Sequence, residues 1–121
     1  MYAGNAMAFD TSLRDAAVHK RRAKWEAERL RVLGELEAAL LGAARRAGFS
    51  EAYLFGSLTR PGAFRETSDV DVGIPGPLPD VVSVASELSR RVGREVHVIE
   101  LDESRIGEIA RRDGIRWTLP S

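Results

Sequence analysis

Ala52-Tyr53-Leu54-Phe55-Gly56-Ser57, and then, with eleven residues separating Ser57 from Asp69, Ser68-Asp69-Val70-Asp71-Val72-Gly73-Ile74: these two stretches decide how the chain reads. The first is a short apolar run stopped by Gly-Ser, the pattern of a buried strand ending in a tight turn. The second alternates polar and apolar residues, as a strand does when one face meets a core and the other is open. That alternation puts Asp69, Asp71 and Gly73 on the open face. Two carboxylates at positions i and i+2 of a strand point the same way, which suits them to hold a divalent cation through hard oxygen ligands, Mg²⁺ being the natural choice. Gly56 lets the backbone approach a phosphate, and Ser57 offers a hydroxyl and an amide to phosphate oxygens.

Before this pair, residues 12 to 47 form one long proline-free stretch rich in Ala, Leu, Arg and Glu, which reads as helix and ends at Gly48. In its second half Leu30, Leu33, Leu36, Leu40, Ala43 or Ala44, and Ala47 recur at steps of three and four, predicting a stripe packed on a core. The first half is different: residues 14 to 31 hold seven Lys and Arg against three Asp and Glu, with Trp25 among them. Its plain reading is a solvated helical extension, and its sharper one is a docking arm for a partner protein or RNA. His19 lies among these charges and reads as surface.

After the second strand, a proline and glycine loop from 75 to 79 leads to Asp80, an N-cap for a helix over 81–92 stopped by Gly93. A third strand over 94–101 would turn Val96 and Val98 to the core and Glu95 and His97 to the other side, with Glu100 opposite them. A short helix over 103–112, a stop at Gly114 and a last strand over 115–119 complete the chain. The expected fold class is α/β in the α+β sense: a small mixed sheet, helices on one face, and a long N-terminal helix. The organisation expected is a helical extension over 1–29 followed by one domain over 30–121.

A chain of 121 residues has room for one core. Eighteen basic and eighteen acidic side chains give zero formal net charge, so no global field draws it to nucleic acid or an anionic membrane. The absence of cysteine removes disulfides, thiolate metal sites and thiol nucleophiles. Met1 to Phe9 lacks the basic start and apolar run of a signal peptide, and no stretch reaches transmembrane length. A soluble, cytoplasmic protein is the expectation.

The stretch Leu54-Phe55-Gly56-Ser57-Leu58-Thr59-Arg60 with Ser68-Asp69-Val70-Asp71-Val72 resembles the signature of the minimal nucleotidyltransferase family, within the polymerase-beta-like superfamily. The similarity covers roughly residues 30 to 119. The resemblance implies that superfamily's fold, Mg²⁺, and ATP or another nucleoside triphosphate as substrate. Asp69 and Asp71 would hold metal and serve catalysis, while Gly56, Ser57, Arg60 and Ser68 would meet the nucleotide. It further implies an antitoxin whose partner is a HEPN-type RNase toxin encoded nearby, with AMP placed on a hydroxyl of that partner.

The chain departs from the family pattern in two places. The gap between Ser57 and Asp69 is one residue longer than usual, with Pro61 before Gly62, a change a loop absorbs. Where the family has a third carboxylate on the following strand, this chain reads Val96-His97-Val98. Imidazole is a poor ligand for Mg²⁺ but a competent general base near neutral pH, and Glu95 on the same expected face is the alternative carboxylate. His97 therefore leaves two readings open: an active transferase in which His97 or Glu95 assists the nucleophile, or a degenerate module that neutralises its partner by binding alone. No membrane and no nucleic-acid partner is expected, and association with itself or with a second protein is.

Overall fold

The computed structural model describes residues 11–121, so the Met1 to Phe9 segment and the start of the expected 1–29 extension lie outside the described residues. Helix α1 spans Ser12–Ala47, β1 Glu51–Phe55, and β2 Val70–Pro75. Helix α2 spans Val81–Val92, β3 Val96–Leu101, α3 Arg105–Asp113 and β4 Ile115–Thr118. One 3-10 turn, Gly56–Thr59, follows β1 directly. The sheet order is β3-β2-β1-β4, with β1 antiparallel to both its neighbours and β3 parallel to β2. This is the mixed α+β sheet with a long N-terminal helix that the pattern of periods predicts.

Local chemistry explains the boundaries. The Asp80 carboxylate accepts from the Ser83 amide at 3.0 Å, capping an otherwise orphaned donor at the start of α2. Gly93, at φ 77°, closes that helix in the left-handed region, and Gly48, at φ 87°, closes α1 in the same way. Ser104 caps α3 by accepting from the Gly107 amide.

Helices α1 and α2 cover one face of the sheet. Val32, Leu36, Leu40 and Ala43 of α1, with Val84 and Leu88 of α2, pack against Ala52, Leu54, Val70, Val72, Ile74 and Val96, and Phe64 closes the end of this core. Burial of these side chains is the main force holding the layers together, at about 25 cal/mol per Å² of apolar surface removed from water. Ion pairs Arg46–Glu87 and Arg91–Glu35 run along the outer seam of the two helices. In addition to these two helices, short α3 lies against the other face, where Ala110 meets Tyr53, Leu101 and Phe55. It covers one end of that face only.

The apolar stripe of α1 is the expected one from Leu33 to Ala47 and departs from it only at its start. Leu30 is 56% exposed, whereas Val32 is fully buried and Arg29 is buried beside it. The buried positions 29, 32, 36, 39, 40, 43 and 44 keep helical spacing, but their first member is an arginine, and a stripe drawn through leucines alone starts one position late. The boundary drawn between residues 29 and 30 falls inside this unbroken helix, and Trp25 upstream of it packs on the main core.

Candidate active site

Asp71 lies at the centre of the candidate site. In the register of the sheet it pairs with Phe55 on β1 and with His97 on β3, so the three residues form one rung across the open face. The chain leaves β1 immediately after Phe55 at Gly56, whose φ of 84° places it in the left-handed region. A Cβ built on Gly56 would stand 4.0 Å from Asp71 Oδ2. The turn and the carboxylate are thus neighbours, although fifteen positions separate them in the sequence. The Ser57 hydroxyl makes no hydrogen bond among the described residues and is free to receive a ligand oxygen.

Asp69 is exposed just before β2, and its negative charge reaches Asp71. Burial first, and the Asp69 charge second, push the Asp71 carboxyl above its ordinary value, while His97 pulls it back. Two carboxylates that repel each other at the mouth of a half-buried site make a place for a cation. Among the described residues, no cluster of three or more His, Cys, Asp or Glu is disposed to hold a metal ion. That donor set does not make a closed cage. It does fit Mg²⁺, which is commonly held by one or two carboxylates together with substrate phosphates.

No match was found among family models, curated proteins or solved structures.

His97 and Glu95 share the open face, with His97 Nε2 3.9 Å from Glu95 Oε1. Glu95 is largely exposed and this contact is long, so it orients the imidazole only weakly. Glu100, expected on the opposite face, is there: its carboxylate accepts from the Leu78 amide at 3.1 Å and secures the loop after β2. Ser68 has a structural bond, its hydroxyl accepting from the Arg65 amide at 2.7 Å. Arg65, itself exposed, folds back on its own loop to donate to the carbonyls of Gly62 and Phe64. Arg60 stays exposed at the end of the 3-10 turn, with no side-chain partner among the described residues.

Three residues outside the motif hold the site in shape. Arg29 donates from Nη1 to the Leu58 carbonyl at 3.1 Å, and from Nε and Nη2 to both oxygens of Glu26. Glu26 in turn accepts from the Gly62 amide at 3.0 Å, so one side-chain pair on α1 holds the glycine-serine loop at two points. The Arg29 bond and the Gly62 amide keep the Glu26 carboxyl at about 2, well below its ordinary 4.5. On the other side Arg94 lies over the Phe64 ring at 4.6 Å and donates to the carbonyls of Glu66 and Ser68, the latter one residue before Asp69. Sequence reasoning did not find these residues. Arg29 had left a trace, since it sits in the buried phase of the α1 stripe.

Proposed function

We propose that the chain is a Mg²⁺-dependent nucleotidyltransferase of the minimal nucleotidyltransferase type, moving AMP from ATP to a hydroxyl of a partner protein. The observation that carries this reading is the convergence of the Gly56-Ser57 turn on Asp71, with Asp69 beside it and His97 in register across it. Such a site catalyses by position and charge. Gly56 and Ser57 would receive the triphosphate, Asp69 and Asp71 would hold Mg²⁺, and the cation would neutralise charge on the phosphates. The acceptor oxygen forms a bond to the α-phosphorus, the bond to the β-phosphate oxygen breaks, diphosphate leaves, and the hydroxyl proton passes to His97. His97 suits that role because it is half exposed and stands in register with Asp71.

The resemblance points to a HEPN-type toxin as the partner and to an antitoxin role. The test is incubation of the partner, co-expressed from the neighbouring gene, with ATP and Mg²⁺, followed by intact-mass spectrometry. A gain of one or more AMP units that disappears in the Asp69→Asn/Asp71→Asn variant supports the reading; transfer retained in that variant overturns it.

One observation favours a second reading. His97 occupies the place of a third carboxylate, so the module would neutralise its partner by contact alone. In that case the partner's mass stays unchanged, the complex forms, and the double asparagine variant neutralises as well as the wild type.

A further inference from the structure

Strand β3 is an edge of the sheet, and its outer side is only partly closed. The Val96 amide donates to the Ser89 hydroxyl at 2.9 Å, and that hydroxyl lies 3.5 Å from the Val96 carbonyl. Both backbone groups of Val96 therefore point away from β2 and toward α2. Backbone direction alternates along a strand, so His97 and Ile99 bond into the β2 ladder while Val98 and Glu100 turn their amides and carbonyls outward. Beyond the ladder, those four groups have no hydrogen-bond partner among the described residues.

A groove of about 860 Å³ runs along this edge. Its α2 side presents Val81, Val82 and Ala85, its strand side presents Ile99, and it continues to Asp69 and Asp71. Val82 is 73% exposed and Ile99 36%, so apolar surface flanks the open backbone groups on both sides. Edge strands of this kind are usually blunted by charge, proline or a covering segment. Here a serine blunts the first rung and leaves the next two open.

We propose that this edge is the acceptor-docking site: an extended polypeptide segment carrying a hydroxyl side chain adds to β3 as a fifth strand. This rests on the nucleotidyl-transfer reading and supplies its missing half. Gly56 approaches Asp71 from the β1 side, leaving the β3 side for the second substrate. Backbone pairing at Val98 and Glu100 holds any sequence, and apolar residues on the added strand meet Val82 and Ile99. The blocked rung at Val96 sets where the added strand must stop. It ends beside His97, so the hydroxyl belongs at that terminus of the paired segment.

The test uses the whole chain with Mg²⁺ and ATP labelled at the α-phosphate, and a random-sequence peptide library whose members each carry one Tyr, Ser or Thr. Wild-type protein is expected to label a subset of peptides, and Val82→Arg to lower that labelling on the order of tenfold, as loss of an interface anchor does. With the most strongly labelled peptide bound, hydrogen exchange at the Val98 and Glu100 amides is expected to slow on the order of tenfold, with Ile99 already protected in the free protein. Labelling unaffected by Val82→Arg, or binding without protection at Val98 and Glu100, overturns the docking site. Protection of both amides in the free chain, together with a dimer in sedimentation, also overturns it, because a second copy then fills the edge. ATP binding by wild-type protein without labelling of any peptide overturns the docking site and leaves the donor half standing. Failure of wild-type protein to bind ATP overturns the nucleotidyl-transfer reading itself.

Discussion

Arg94 Nη2 lies 3.0 Å from the Ser68 carbonyl, and so the turn leading into β3 grips the backbone immediately before Asp69. The same nitrogen reaches the Glu66 carbonyl at 2.8 Å, and the guanidinium plane covers Phe64, the closing residue of the main core. The position of an exposed carboxylate is thereby tied to a buried ring of the main core.

Replacing Arg94 tests this directly. Arg94→Ala removes charged donors from two carbonyls and uncovers Phe64, at an expected cost of about 2 kcal/mol in urea unfolding. Arg94→Lys is expected to recover less than half of it, because an ammonium has neither the planar face for the ring nor the fork for several acceptors.

Asp71→Asn changes stability in a direction set by the raised carboxyl. A native pKa above the ordinary 3.8 means that the folded state holds the proton more tightly than the unfolded chain. The wild-type fold therefore loses stability as pH rises from below 3.8 through the raised value, and carries the full cost above it. In metal-free buffer the asparagine variant is expected to match or exceed the wild-type urea midpoint at pH 7. That advantage shrinks as pH falls through the raised value and is gone below 3.8.

Glu26 behaves oppositely. Its carboxyl is held at about 2 against an ordinary 4.5, so the ionised form stabilises the fold above 4.5 and that contribution is lost as pH falls toward 2. Glu26→Gln is expected to lower the urea midpoint at pH 7 and to flatten its decline between pH 4.5 and about 2. An unchanged slope in that window would show that Glu26 does not tie Gly62 in solution.

Gly73 has no room for a side chain. A Cβ there would stand 2.9 Å from the terminal carbons of Leu101, which is itself buried under α3. Gly73→Ala is expected to destabilise by about 1–3 kcal/mol as Leu101 is pushed off its packing. Leu101→Ala costs a cavity of its own. In the double variant the total is expected to fall short of the sum of the two single losses, a coupling that thermal unfolding of the four proteins would detect.

The sequence made legible those features that are encoded locally. Asp80 and Gly93 bound α2 at the residues expected, because a cap and a left-handed glycine are one-residue signals. The alternation Asp69-Val70-Asp71-Val72 placed both carboxylates and Val70 and Val72 on their respective faces, because a strand has period two. The tertiary features were not legible. Arg29 is buried because Leu58 and Glu26 offer it partners, and nothing in the helix pattern announces a carbonyl from another element. Arg94 was read only as the entry to a strand, since its acceptors are backbone groups with no side-chain identity.

The Glu26–Arg29 pair also limits how far the glycine-serine signature can be carried elsewhere. Grafting residues 54 to 72 onto another sheet would transfer Gly56, Ser57, Asp69 and Asp71 but would leave behind the two anchors that give their loop its shape. The transplanted segment would keep the spelling of this loop without its geometry.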